Sequence, residues 1–185
     1  MSEIEKRVCK GCCLGISGVK VASLYSVQPS LENIDNVIQD LNAKLSSIGS
    51  RFEMLHKNER RTLIFAFNQE KLKKHLKQKR NKKFLAQYGY SECVTIEEHL
   101  NRLRERIEAS GKGFPHEIGI FLGYPIEDIV GFIKNPTKHK VVGIWKVYKN
   151  VRQKLELFDK YQKAKKYYEF EIEKTDNIEN VFMEA

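Results

Sequence analysis

A histidine and a glutamate stand side by side at the start of an apolar segment. They are His116 and Glu117, in the stretch "FPHEIGIFLGYPIEDIVGFI" at 114–133. A histidine oriented by a carboxylate is the usual base for a cysteine nucleophile, and Asp128 is a second candidate for that carboxylate. We assign Cys12 as the nucleophile, His116 as its base and Glu117 as the carboxylate that orients the histidine. The sequence therefore predicts a small-molecule site equipped for nucleophilic chemistry.

The same pair also has a purely structural interpretation. Adjacent side chains on a helix point about 100° apart, so the two residues cannot both face the core. Near a helix N-terminus the dipole would favour Glu117 as a cap, and His116 would be a partly buried imidazole bonded to a carbonyl. A zinc-protease motif is excluded because its second histidine would stand at position 120, which is isoleucine.

Three of the four cysteines lie close to the N-terminus. Cys9 and Cys12 have the C-x-x-C spacing of half a zinc site or of a redox pair, Cys13 follows directly, and Cys93 stands far along the chain. A second C-x-x-C or an H-x₃-H pattern is absent, so we assign no metal ligand and name no cofactor. The alternative is that the clustered cysteines serve as small apolar residues.

Residues 51–90 carry all of the excess positive charge. They hold 12 lysines and arginines against three glutamates, in a chain of net charge +9. The densest stretch, "KLKKHLKQKRNKK" at 71–83, is a candidate for binding a polyanion such as nucleic acid through counterion release. The alternative is a solvated helix face, with Leu72 and Leu76 docking the helix. The cations assigned to polyanion contact are Lys71, Lys73, Lys74, Lys77, Lys79 and Arg80.

The first half of the chain is expected to supply the sheet. Runs of β-branched and aromatic residues favour strands, and an apolar stripe favours a helix. In chain order the predicted elements are an irregular Gly- and Cys-rich segment 1–18, a strand 19–27, a helix 31–45 with Ser30 as N-cap, and an antiparallel hairpin of strands 51–56 and 61–68.

The second half is expected to be mostly helical. The clearest helix is "TIEEHLNRLRERIEASG", where Thr95 and Glu98 form a capping box and Gly111 marks the end. The other predicted elements are a lysine-rich helix from about 69 that breaks near Gly89, short helices at about 115–122 and 125–134 that each open with proline, a strand 140–149 and a long helix 151–174.

These elements predict an α+β fold, a three- or four-stranded, mostly antiparallel sheet packed with five or six helices. We expect one domain over 1–173 and a frayed tail over 174–185. No apolar run reaches the roughly 18 residues of a membrane-spanning helix, and the start lacks the apolar stretch of a secretory signal. The sequence therefore predicts a cytoplasmic protein without membrane insertion.

The long apolar segment also carries a family resemblance. Together with "GIWKVY" at 143–148, it resembles the hallmark of a bacterial family catalogued only as a domain of unknown function. The family pattern places a cysteine eight positions before a lysine, as Cys12 and Lys20 stand here. This chain has "KVA" where the family usually has "KPA". The resemblance covers about Cys12 to Tyr161 and implies no activity.

We expect a ligand pocket around His116, with Lys20, Tyr124, Asp128 and Trp145 as further members. Trp145 has an alternative interpretation as a core aromatic on a strand. Three functions remain open at this point. They are a small-molecule site, polyanion binding through 71–83, and a protein-interaction module that uses an apolar 118–133 surface.

Overall fold

A three-stranded antiparallel sheet forms the centre of the fold. The structure is a computed structural model that describes residues 1–28, 33–111 and 113–183. The sheet consists of β1 (Ala22–Val27), β2 (Ser50–Lys57) and β3 (Thr62–Asn68), in the order β1-β3-β2. The predicted hairpin is confirmed as β2 and β3, and β3, which pairs with both neighbours, is the more deeply buried strand.

Apolar side chains on β3 alternate between two cores. Ile64 and Ala66 belong to one hydrophobic cluster, whereas Leu63, Phe65 and Phe67 belong to another. Successive side chains of a strand point to opposite faces, so both faces of this sheet are apolar. Helices therefore cover both faces.

The first face is covered by α1 (Glu3–Ile16), α2 (Ile34–Leu45), α8 (Val151–Lys174) and α9 (Ile178–Met183). The prediction that residues 1–18 are irregular is wrong, because α1 spans most of them. A capping box of Ser2 and Glu5 starts this helix, and its buried face includes the three clustered cysteines. The predicted cap Ser30 and stripe residue Leu31 of the next helix lie outside the described residues.

The frayed tail is also a wrong prediction for the residues described there. Ile178, Val181 and Phe182 of α9 are buried in the core of the first face. Their spacing places them on one side of a helix, which packs against α8 and α2.

The second face is covered by α3 (Gln69–Leu76), α4 (Lys79–Ala86), α5 (Ile96–Ala109), α6 (Ile118–Phe121) and α7 (Ile126–Lys134). The capping box of Thr95 and Glu98 on α5 is confirmed. The single lysine-rich helix is instead two helices. The side-chain amide of Asn81 donates to the carbonyl of His75 at 2.8 Å, which satisfies the end of α3.

Residues 140–149 form a tight hairpin rather than the predicted single strand. Its strands are β4 (Val141–Val142) and β5 (Lys146–Val147), and the amide of Gly143 donates to the carbonyl of Trp145 at 3.0 Å. Gly143 lies against the ring of Phe158 on α8, so the turn needs a residue without a side chain.

The α+β class is confirmed, and so is the three-stranded antiparallel sheet. The described ranges contain nine helices rather than five or six, and the hairpin forms a second, two-stranded sheet. No helix in those ranges combines the length and apolar character needed to cross a bilayer.

Candidate functional site

A cavity of about 280 Å³ lies where α6 and α7 meet the hairpin β4–β5. Its volume is close to the lower end for small-molecule pockets. Most of its lining is apolar or aromatic. Four of the residues predicted for the site line it, namely His116, Tyr124, Asp128 and Trp145.

His116 is the exposed member of the predicted pair. Its ring packs edge-to-face on Phe132 of α7, with centroids 5.3 Å apart. No described residue is hydrogen-bonded to the imidazole, so the predicted bond to a carbonyl is not found. The ring is therefore available to a molecule in the cavity.

Asp128 is buried, and its carboxylate binds N–H groups of the hairpin region rather than His116. One carboxylate oxygen accepts from the indole Nε1 of Trp145 at 2.9 Å. The other oxygen accepts from the backbone amides of Tyr148 at 2.8 Å and Lys149 at 3.3 Å. These three N–H donors tie α7 to the hairpin and hold Trp145 in place.

Trp145 is a core side chain that lies in the turn between β4 and β5 rather than on a strand. It is buried, and its ring packs edge-to-face on Phe158 with centroids 4.5 Å apart. It also packs on Tyr124, with centroids 4.8 Å apart, and forms part of the cavity wall. The indole is thus a core side chain whose position shapes the cavity.

Glu117 points away from the cavity into the protein. It has no exposed surface, and its Oε1 accepts from Nε of Arg106 on α5 at 2.7 Å. Glu117 occupies the N-cap position of α6, but its side chain makes no cap bond, so the predicted capping by its carboxylate is wrong. Instead, the carboxylate anchors this segment to α5, and the chain turns His116 to the outside.

The structure does not bring Cys12 to His116. Cys12 is fully buried in the core of the first face, whereas Ile118 and Phe121, which follow His116, lie in the core of the second. Burial raises the pKa of Cys12 well above its usual value and that of Cys13 to about 11. The thiols therefore stay protonated, and this placement argues against the predicted nucleophile.

The described residues contain no cluster of three or more histidine, cysteine or acidic side chains placed to hold a metal ion. The C-x-x-C pair lies inside α1, with both thiols buried.

Lys20 lies beside the cavity without lining it. It is 7% exposed, and its ammonium stands 5.1 Å from the centroid of the Tyr124 ring. Burial lowers the pKa of Lys20 to about 8. Tyr124 thus contacts both Lys20 and the cavity.

The six cations assigned to polyanion binding are all exposed, but they do not act as one set. Lys71 donates to the carbonyl of Gly18. Lys73 and Lys77 instead border a depression of about 140 Å³ that Lys82 and His99 also line. Ser91 also lines this depression, which we call the basic groove.

Sequence reasoning missed several residues of both sites. Phe132, Ile144 and Lys146 line the cavity, and Lys82, Ser91 and His99 line the basic groove. The glycine in the middle of "KVVGIWKVYK" was the available signal for a hairpin, which would have placed Ile144 and Lys146 at a turn. The groove residues had no such signal, because they come from separate elements.

The fold and the cavity together define an α+β protein with an aromatic-walled pocket at the junction of two helices and a hairpin. The chain belongs to the family described as "Protein of unknown function (DUF3793)", whose model matches residues 8–182. The resemblance to a family of unknown function is thereby confirmed. No curated protein and no solved structure matches the chain.

Proposed function

We propose that this protein binds a small, mostly apolar or aromatic molecule in the cavity between α6, α7 and the hairpin. The observation that carries the proposal is the convergence of the rings of His116, Tyr124 and Trp145 on one concave apolar space. Apolar surface removed from water in such a pocket contributes about 25 cal/mol per Å² before the costs of binding.

The polar groups of the cavity favour a ligand with an anionic substituent. Lys146 brings an ammonium group that lies 5.2 Å from the centroid of Phe132 and donates to the carbonyl of Pro136 at 3.1 Å. His116 adds an imidazole with two ring nitrogens. Asp128 is already occupied by three donors, so it does not repel an anion as a free carboxylate would.

Binding can be tested with 1-anilinonaphthalene-8-sulfonate, a flat aromatic sulfonate whose emission rises in apolar surroundings. Trp145 is the single tryptophan of the chain, so its fluorescence reports directly on the cavity. We expect saturable binding of one dye per chain, with energy transfer from Trp145 to the dye. Binding without saturation, or without a change in Trp145 emission, would place the dye elsewhere and contradict the proposal.

Two matched variants separate the cavity from general surface binding. Phe132→Ala removes a cavity wall that contacts His116 and Lys146. Phe170→Ala removes a comparable helical phenylalanine that carries a lysine over its ring, at 3.6 Å from Lys174. We expect the first variant to weaken dye binding about tenfold or more and the second to leave it unchanged. Equal effects of the two would argue against the cavity.

We infer a second candidate function, polyanion binding, from the basic groove. Three lysines line one depression, namely Lys73 on α3, Lys77 directly after that helix and Lys82 on α4. Ser91 and His99 add polar atoms. A second depression of about 360 Å³ adjoins it and shares Lys82, Ser91 and His99. Converging ammonium groups suit phosphate oxygens, and their binding would release counterions.

Salt dependence distinguishes this function from a merely solvated lysine face. We expect a labelled single-stranded oligonucleotide to bind with an affinity that falls steeply between 50 and 200 mM salt. Lys77→Gln with Lys82→Gln should weaken binding and flatten that slope. Lys163→Gln with Lys166→Gln removes two exposed charges from α8 as the control. If both pairs lose affinity equally, the effect is one of net charge and the groove is not a site.

The protein-interaction hypothesis is not carried forward. It required an apolar surface over 118–133, but Ile118, Ile120, Phe121 and Ile129 are buried in the core. Ile133 is the large hydrophobic residue of that segment that is exposed.

A further inference from the structure

Lys20 is a buried cation whose surroundings do not neutralise it. It follows the end of α1, and its backbone amide donates to the carbonyl of Leu14 at 2.9 Å. Its side chain is 7% exposed. Within the described ranges, its ammonium has no carboxylate at ion-pair distance and no hydrogen-bond acceptor. Its one polar compensation there is the ring of Tyr124.

A buried ammonium without an anion is costly. Removing such a charge from water costs more free energy, even after relaxation, than a cation–π contact returns. The group relieves that cost by losing its proton, which agrees with the lowered pKa of about 8. At pH 7 a larger share of Lys20 than of an exposed lysine is then a neutral amine, and only the neutral form is a nucleophile.

A close backbone approach places this amine next to the cavity. Gly123 has φ +74°, and a Cβ built on it would lie 2.7 Å from Cγ2 of Val21, the residue after Lys20. A residue with a side chain is therefore excluded at the turn on both conformation and space. This turn sets Tyr124 beside Lys20, while the same ring packs on Trp145 in the cavity wall.

We propose that Lys20 is a nucleophilic amine that forms an imine with a small aldehyde or ketone bound in the cavity. This inference rests on the proposed ligand-binding function and names its substrate class. Lys20 lies beside the Tyr124 ring, which lines the cavity, so the reaction requires this ring to move and admit the carbonyl group to the amine.

The reaction balances without an oxidant or a reductant. The lone pair of Nζ attacks the carbonyl carbon, a C–N bond forms, and the carbonyl oxygen takes up one of the two amine hydrogens. The resulting carbinolamine loses its hydroxyl group together with the second N–H hydrogen as water, and a C=N bond remains. The apolar walls favour this product because they exclude water, which would hydrolyse the imine.

Reduction of the imine with cyanoborohydride tests the proposal on the intact chain. We would incubate the protein with benzaldehyde and sodium cyanoborohydride, which reduces an imine to a stable benzylamine, and measure each lysine by peptide mass spectrometry. At pH 7.5 we expect Lys20 to react at least about tenfold faster than Lys163, an exposed lysine on α8. The rate at Lys20 should rise with pH and level off above about pH 8, whereas that at Lys163 keeps rising.

Several outcomes would overturn the proposal. Labelling of Lys20 no faster than Lys163, or only under unfolding conditions, means that the amine is inaccessible and structural. A pH profile at Lys20 that keeps rising past pH 9 means that burial does not activate it. These readings come from the wild-type chain, so they hold even if Lys20→Arg fails to fold. If that variant does fold, it should lack the fast-reacting site.

The dye distinguishes this proposal from the one on which it rests. Saturating 1-anilinonaphthalene-8-sulfonate should slow labelling of Lys20 at least fivefold and leave Lys163 unaffected. Dye binding with an unreactive Lys20 refutes the amine and leaves the cavity site standing. A reactive Lys20 without dye binding at Trp145 refutes the proposed function, and with it the imine as a reaction of a cavity-bound substrate.

Discussion

Glu117 and Lys20 are both buried charged groups, but they differ in the partner that faces the charge. Glu117 has the guanidinium of Arg106 at 2.7 Å, so its charge is compensated inside the protein. Lys20 has an aromatic ring, which compensates an ammonium only in part. Glu117 therefore anchors its segment to α5. Lys20 is poorly compensated, and its burial favours loss of the proton.

Comparison with Lys20→Met should show how Lys20 makes the free energy of unfolding depend on pH. The folded state holds the pKa of Lys20 at about 8, below the usual value near 10.5, so it disfavours the proton relative to the unfolded chain. Between these two pH values the unfolded chain binds more protons, and the contribution of Lys20 to the free energy of unfolding rises with pH. Below pH 8 the penalty of the buried ammonium is fully present.

We therefore expect the stability of the wild type relative to Lys20→Met to increase by up to about 3 kcal/mol from pH 7.5 to 10.5. Urea unfolding of both chains across this range measures it. Taking the difference removes the contributions of tyrosines and thiols, which titrate in the same range. Parallel curves for the two chains would show that Lys20 is not perturbed.

The thiols provide a second prediction at this scale. Burial raises the pKa of Cys12 well above its usual value, and Cys93 is the half-buried thiol of the four. With iodoacetamide at pH 8 we expect Cys93 to react first and Cys12 to react only as the chain unfolds. The rate at Cys12 should be the same in His116→Ala. A fast Cys12 that slows in this variant would revive the Cys–His pair.

At the scale of elements, α1 shows why a glycine can be misread. Glycines in a sequence suggest a break, but Gly15 lies where the helix touches the sheet, against Ala66 and Ser23. The same reasoning applies to Gly143, where the hairpin meets α8. In both cases the glycine is required by a neighbour that is remote in the chain, and no local pattern predicts that neighbour.

Gly15→Ala tests the packing of α1. The added Cβ would lie 2.6 Å from the backbone nitrogen of Ser23, and backbone atoms cannot move aside cheaply. We expect a loss of about 2–3 kcal/mol in the free energy of unfolding, even though alanine is the better helix former. Gly113→Ala is the control, because its Cβ would have an ordinary contact at 3.8 Å. A stabilised Gly15→Ala would contradict the close packing of α1.

At the scale of the whole molecule, the sheet separates two cores and with them two sets of candidate residues. The cysteines belong to the core of the first face, and the cavity is built on the second face and the hairpin. Lys20 stands where the chain passes from α1 into the edge strand β1, close to both. This position makes it the one member of the family's cysteine–lysine pattern that lies next to the cavity.

The C-terminal helix should contribute to global stability. Ile178, Val181 and Phe182 are buried, and burial of a large apolar side chain contributes about 1.5–3 kcal/mol. A chain truncated after Lys174 should therefore lose about 5 kcal/mol or fail to fold, as measured by thermal or urea unfolding. Unchanged stability would contradict the packing of α9 against the core of the first face.

Local signals were sufficient for α5, for the hairpin β2–β3 and for the α+β class, because a capping box and an alternating pattern act over a few neighbouring residues. They also predicted His116, Tyr124, Asp128 and Trp145 as members of one site, since three of these lie in one short segment and Trp145 follows soon after. Tertiary contacts were needed to separate His116 from Glu117, to bury Cys12 behind the sheet and to set Lys20 beside Tyr124. Those outcomes depend on which face of the sheet each element covers, and that is set by packing between residues far apart in the chain.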